Sequence, residues 1–294
     1  MKLNKLVAGL CVVLAAPSAF ADPIYIDVGV DFGGNTNTAA GATTTGLIDE
    51  LTYIYESNSV VTTTNDALIN AGDAISTSGG LDLTSEATLN SSFGTNAVTG
   101  FNPVQGLSGP SNNNHGVSWF LSFAITDLMG TLGAGTEING VPPDNLEINY
   151  TSGSITFYYL EDNDSSTNFQ LSEVKELFTI DVASSTQDLT GSHVFGNVTS
   201  FGAGTVNGIA AADVFNFADV SFGDKLISLI EVKSSIDFNT DNPVAIPGPG
   251  GNQFTFEGIH DGSIKFIVPE PASLSVFALG LLGLAGFARR QKTL

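Results

Sequence analysis

The chain has 294 residues, with 30 acidic side chains against nine basic ones and a formal charge of −21. Between Asp22 and Val268 the imbalance steepens: 29 acids face only Lys175, Lys225, Lys233 and Lys265, a net of −25 with no arginine. Such a surface repels phosphate backbones and anionic head groups, which excludes nucleic acid as a partner and favours cations.

Residues 1–21 read as a secretory signal peptide. Lys2 and Lys5 form the basic region, Leu6 to Ala16 the apolar one, and Ala19 and Ala21 the small-x-small site that signal peptidase needs, leaving Asp22 as the first mature residue. The single cysteine, Cys11, lies in the apolar region; the bulky Leu10 before it and its early position argue against a lipoprotein signal. The mature chain is then free of cysteine, so disulfides, thiolate metal sites and a cysteine nucleophile are excluded. Stability must come from the core or from bound ions.

Residues 22–268 carry the period of strands. Ile24, Ile26, Val28 and Val30 share one face of a first strand, and Leu51, Tyr53 and Tyr55 share one face of a second over 51–61. The nearly continuous apolar run Val117 to Thr126 reads as a central strand covered on both faces. Further strands are expected at 154–160, 177–182, 193–201 and 226–238. The last two, 253–258 and 263–268, read as a hairpin turning at His260-Asp261-Gly262, where Asp-Gly is a turn signal. Short helices are expected only as connections, at 65–71, 171–177 and 209–218. Gly33 to Gly46 and Gly100 to Gly116 read as surface loops, and Pro243 to Gly251 as a flexible break. No internal repeat of fixed period is present. The expectation is an all-β, antiparallel β-sandwich or jelly roll of about ten strands forming one acidic domain.

The candidates for chemistry are few. Glu161-Asp162-Asn163-Asp164 and Asp237-Phe238-Asn239-Thr240-Asp241 place Asp162 with Asp164, and Asp237 with Asp241, at strand ends, where carboxylate oxygens on a turn could converge on calcium. An EF-hand is excluded by the missing glycine and distal glutamate, and an acidic turn capping its own backbone is the plainer reading of both. If the two loops meet at one end of the body they form one site. His115, His193 and His260 lie far apart in sequence, and HExxH, GxSxG and Walker-type motifs are absent. Trp119, Tyr158 and Tyr159 suit sugar stacking if exposed and core packing if not. Asn90, Asn149, Asn163 and Asn197 head Asn-x-Ser/Thr sequons.

The C-terminal segment is the most specific feature. Val268-Pro269-Glu270-Pro271 is held extended by two prolines; Ala272 to Ala288 is an uncharged run of 17 residues; Arg289, Arg290 and Lys292 follow. At ~1.5 Å per residue the run just reaches the lower limit for a helix crossing a ~30 Å hydrocarbon core, and its basic flank stays cytoplasmic. This order of tripeptide, short helix and basic tail resembles the PEP-CTERM sorting signal of Gram-negative bacteria. The strand through Asp261-Gly262-Ser263 leading into it resembles the flocculation-associated members of that group. The resemblance implies transient residence in the inner membrane, cleavage by an exosortase near the Pro-Glu-Pro residues, and delivery to the cell surface or extracellular matrix. The plain alternative is a single-span anchor.

Two functions remain open at this level. One is a non-enzymatic exported protein contributing to exopolysaccharide, biofilm or floc structure through extracellular polysaccharide contacts or calcium, as the resemblance implies. The other is a secreted carbohydrate-binding module or carbohydrate-active enzyme.

Overall fold

The computed structural model describes residues 22–34, 36–63, 69–107, 109–133, 147–161, 168–188, 191–218, 220–225, 227, 230–236, 244–246 and 253–268. The expected signal peptide, with Ala19 and Ala21, and the expected membrane helix 272–288 lie outside these residues. Among the described residues no helix is long and apolar enough to cross a membrane.

Alternation of inward apolar and outward polar residues builds fourteen strands among the described residues: β1 (Ile24–Ile26), β2 (Ile48–Thr62), β3 (Ala74–Gly80), β4 (Ala97–Pro103), β5 (Trp119–Leu132), β6 (Ile148–Glu161), β7 (Val174–Asp188), β8 (Gly191–Phe201), β9 (Thr205–Val206), β10 (Ile209–Ala210), β11 (Phe215–Phe217), β12 (Glu231–Ile236), β13 (Val244–Ile246) and β14 (Gln253–Ile267). Two short helices join them, α1 (Glu86–Phe93) and the single turn α2 (Ala211–Val214). The all-β, antiparallel expectation holds.

Eight strands form one closed hydrogen-bonded circuit, β2-β3-β5-β6-β7-β8-β12-β14 and back to β2. The closing ladder runs from Gln253 opposite Thr62 to Ile264 opposite Leu51. Inward faces pack across the core as in a sandwich. A line of rings carries the packing from strand to strand: Tyr53 on Phe123 at 5.0 Å, Phe123 on Phe157 at 5.7 Å, Phe157 stacked on Phe178 at 4.9 Å, and Phe178 against Phe215 at 5.0 Å and Phe266 at 5.8 Å. Each such pair adds about 0.5–1.5 kcal/mol beyond the area it buries. An eight-stranded circuit encloses about as much space as its own side chains fill.

Toward the end where β2 finishes, the interior turns polar. Ser57 Oγ lies 2.8 Å from His260 Nε2, Ser59 Oγ 2.7 Å from Thr77 Oγ1, and Thr77 Oγ1 2.7 Å from the Tyr150 hydroxyl; Tyr53 pairs with Ser234. Burial pushes the Tyr150 phenol up to about 12 and raises those of Tyr53 and Tyr55, so all three stay neutral. These hydroxyls hold one another, which is the condition for keeping them inside.

Several expectations are corrected. Residues 253–267 do not form a hairpin at Asp261-Gly262: β14 passes straight through, paired with β2 on one edge and β12 on the other. The reason is steric. A Cβ on Gly262 would stand 2.1 Å from the Ser235 carbonyl oxygen and 2.8 Å from the Tyr53 ring, so glycine here admits a close neighbour and is not a turn residue. Residues 171–177 are one 3₁₀ turn, Leu171–Glu173, followed by β7, because Val174 onward is claimed by the β6 ladder. The helix expected at 209–218 divides into β10, α2 and β11. The first strand stops at Ile26, short of Val30, where Gly29 turns the chain at φ 73°. The helix expected at 65–71 falls mostly outside the described residues, as does most of the break at 243–251.

The loop 29–46 is not an idle surface loop: Thr44 and Thr45 are buried, and the Thr45 hydroxyl accepts from the Ile26 amide at 2.9 Å. Asn113, fully buried at φ 47°, ties this loop to the turn before β5. Its Oδ1 accepts from the Phe32 amide at 2.9 Å, its Nδ2 donates to the carbonyls of Val30 at 2.9 Å and Thr43 at 3.0 Å, and its own carbonyl accepts from Trp119 Nε1 at 2.7 Å.

Two stability outcomes follow from these contacts. Gly262→Ala is expected to cost about 3 kcal/mol in urea unfolding, the overpacking range for a core that cannot shift its backbone. Asn113→Ala, which strands one amide and two carbonyls, is expected to cost about 2–4 kcal/mol; a loss below ~0.5 kcal/mol would mean water replaces the side chain.

Candidate functional site

Val268, half-buried, is the first residue beyond β14. The strand that delivers it is bonded on both edges: Ile264 stands opposite both Leu51 of β2 and Ser234 of β12, and Ile267 opposite Glu231. Pro269, Glu270, Pro271, Arg289, Arg290 and Lys292 lie outside the described residues. The sorting segment is thus a direct continuation of a strand of the closed circuit, with Val268 as the only residue between the last paired position and Pro269.

Asp162, Asp164, Asp237 and Asp241 also lie outside the described residues, but the strand ends before them are fixed. Glu161 ends β6 opposite Trp119. Ile236 ends β12 opposite Ser192, and Ser192 stands opposite Gln187, whose Oε1 accepts from the Ile148 amide at the start of β6. The strand ends that precede the two acidic segments, Glu161 and Ile236, therefore lie at opposite ends of β6, on the order of 40 Å apart along a strand of this length. Strand register does not bring them to one end of the body. Among the described residues no group of three or more His, Asp or Glu is placed to hold a metal ion.

The other candidates separate by burial. Trp119 is fully buried and stacks on Tyr159 at 5.8 Å; neither can offer a face to a sugar. Tyr158 is half-buried against a satellite cluster of Leu81, Leu89, Leu160 and Phe169 that α1 and the segment before β7 lay over β5 and β6. The three histidines do not converge on one site: His260 points inward beside Ser57, His193 lies on β8 between Thr186 and Ser235, and His115 precedes β5. Of the sequons, Asn90 is consumed in the fold. Its Nδ2 donates to the carbonyls of Glu86 at 2.7 Å and Phe169 at 2.9 Å, and its Oδ1 accepts from the Phe169 amide at 2.7 Å.

One polar cluster escaped the sequence reading. Asn207 Nδ2 donates to Glu161 Oε2 at 3.0 Å, to the Val28 carbonyl at 3.0 Å and to the Tyr159 hydroxyl at 3.2 Å, while the Tyr159 hydroxyl donates to Glu161 Oε2 at 2.8 Å. Burial and the adjacent carboxylate raise the Tyr159 phenol, fixing it as a donor. The sequence signal was present: Asn207-Gly208 is the two-residue hairpin turn between β9 and β10, with φ 49° and 90°. That the Asn207 side chain would reach a different strand was not readable from the turn.

Beyond the satellite cluster and exposed Met129 and Ile259, the outward face of the circuit carries a polar row. Across five strands the register aligns Thr126, Ser154, Asp181, Asn197 and Glu231 in one transverse row, partly or fully exposed. A lipid-facing barrel shows the reverse alternation.

No curated protein and no solved structure matches this chain. The PEP-CTERM protein-sorting motif matches residues 268–291, taking in Val268 and the Pro269-Glu270-Pro271 tripeptide. The chain carries a PEP-CTERM sorting motif at residues 268–291, which marks it for sorting to the cell surface by an exosortase.

Proposed function

We propose that this is a non-enzymatic component of the extracellular matrix, released from its sorting segment at the cell surface and held among exopolysaccharides of a biofilm or floc. The observation that carries the reading is the pairing of the sorting motif with an acidic body whose outer face carries a row of hydroxyls, amides and carboxylates, Thr126, Ser154, Asp181, Asn197 and Glu231. Such a face exchanges hydrogen bonds with a hydrated polymer and repels other copies of itself. The alternative of a carbohydrate-active enzyme draws on the same acids, but Trp119 and Tyr159, two of its three stacking candidates, are in the core.

Calcium enters this reading as a bridging ion. Asp162 with Asp164, and Asp237 with Asp241, each supply two carboxylates, short of the six to eight oxygens the ion takes, so uronate or sulfate groups of the polymer would complete each shell.

Mass spectrometry of the protein from cells is expected to find a species beginning at Asp22 and ending near Pro271, concentrated in the matrix fraction. An intact chain retaining Leu294 at the surface would overturn exosortase release, and a processed chain absent from the matrix would overturn the structural role. A chain truncated after Val268 is expected to keep the Tm of the full chain, because the β14 ladder ends at Ile267.

With a uronate polymer present, calcium at about 10 mM is expected to add about 1.4 kcal/mol to unfolding for each site of ~1 mM Kd. The increment should fall when Asp162 and Asp164 are changed to Asn. No shift on titration would remove calcium from the account.

A further inference from the structure

The closed circuit has a seam. On one edge β2 pairs with β3 over residues 57–62 and with β4 over residues 48–54, so β4 continues the wall where β3 ends. β3 goes on to pair with β5 from Thr131 to Ala124, whereas no β4–β5 ladder is present among the described residues. Along this seam β4 meets the first residues of β5 through side chains, with Phe101 6.1 Å from Trp119 at a tilt of 35°, and the turn 112–118 sets the ring of His115 against both. The ring lies 4.4 Å from Phe101 of β4, tilted by 36°, and 4.7 Å from Trp119 of β5, edge-on at 70°. Phe101 is opposite Leu51, which is fully buried, so the imidazole fills the seam on the core side. Backbone support on the β5 side is the Gly116 amide donating to the Trp119 carbonyl at 2.9 Å, and the Ser122 hydroxyl reaches the Asn96 carbonyl at 2.6 Å.

We propose that His115 is a pH-sensitive plug, packed against both Phe101 and Trp119, whose protonation opens the seam between β4 and β5 while the rest of the body stays folded. His115 is only 9% exposed and its Nε2 has no hydrogen-bond partner, so a proton arriving there would have to be buried without an acceptor. Burial alone holds the ring down to about 4, and no neighbouring charge contributes. The surroundings account for this. β4 and residues 104–118 carry no other titratable group, and β5 carries none before Asp127. On the elements one layer out, Glu50 of β2 is engaged by Asn102 at 3.1 Å, Asp49 by Lys265 at 2.8 Å, and Glu161 of β6 by Tyr159 and Asn207; Asp31 lies in the loop that Asn113 holds.

The direction follows from linkage. Above pH ~6.5 the ring is neutral whether the seam is shut or open, and the closed form has its full advantage. As the pH falls from there towards 4, the open form takes up a proton that the closed form refuses. Each unit therefore moves the balance about tenfold towards opening, roughly 300-fold in all. Opening exposes the unpaired edge of β4 and the faces of Phe101 and Trp119, a strand edge of the kind that pairs with another chain.

The experiment uses the full chain in mild detergent and its one tryptophan, Trp119. Trp119 emission and far-UV circular dichroism are followed from pH 8 to 3.5, with deuterium exchange of 97–118 against β6 and β7. Emission is expected to shift red between pH 6.5 and 4 while the dichroism at pH 5 is unchanged, with exchange rising in 97–118 alone. His115→Phe, which keeps the stack and cannot titrate, is expected to hold emission and exchange flat to pH 4, and Glu161→Gln to behave as wild type. Emission flat to pH 4 in the wild type, a shift that coincides with loss of dichroism, or a transition that survives in His115→Phe or vanishes in Glu161→Gln would each overturn the proposal. If His115→Phe does not fold, the separation of emission from dichroism in the wild type decides the matter.

Discussion

The fold depends on one pairing between residues about two hundred positions apart, β14 against β2. Without it the strands from β2 round to β14 form an open sheet whose two edges expose unpaired amides and carbonyls, and the ring line from Tyr53 through Phe178 to Phe266 is no longer enclosed. With it, every strand of the circuit has a neighbour on each side and the aromatic interior is enclosed. The pairing is specific at Gly262, where a side chain would meet the Tyr53 ring and the Ser235 carbonyl. Gly258 and Gly262 stand opposite Ser57 and Tyr53, and His260 between them lies 5.0 Å from the Tyr55 ring.

That constraint shapes the relation between body and sorting segment. The strand that closes the circuit is the one whose sequence continues into the Pro-Glu-Pro tripeptide, so the body is completed by the last part of the chain before the sorting motif. Cleavage there subtracts nothing from the ladder. With a single cysteine in the chain no internal disulfide can form, and the closed ladder supplies the constraint that crosslinks otherwise would.

The interior is divided by polarity. The end nearest β14's exit holds phenylalanines, whereas the opposite end holds Ser57, Ser59, Thr77, Tyr150 and His260, bonded among themselves. Near the first end, where β4 and β5 run without a shared ladder, the wall is completed by loops and rings in place of backbone bonds. Asn113 and His115, in adjoining turns of one segment, carry that task by two means: the amide satisfies three backbone groups at once, and the imidazole fills space while leaving one nitrogen unpartnered.

The sequence by itself determined the address and the class. The prolines, the uncharged run and the basic tail act locally, each through its own backbone or charge, so Val268 to Lys292 could be read without a fold. The period-two alternation at Ile24 to Val28 and Leu51 to Tyr55 likewise announced strands, since the side chains of a strand choose faces by covalent geometry alone. Tertiary structure decided what depends on who the neighbour is. Asp261-Gly262 carries a turn signal yet lies mid-strand, because the nearby Ser235 carbonyl and Tyr53 ring leave room only for glycine. β3, reading AISTSGG, has too few apolar residues to declare itself and exists because β2 and β5 pair with it on either edge. The separation of the strand ends Glu161 and Ile236, the reach of Asn207 to Glu161 and the packing of His115 against both Phe101 and Trp119 were equally invisible, since register and closure are set by pairings across the whole chain and not by the residues themselves.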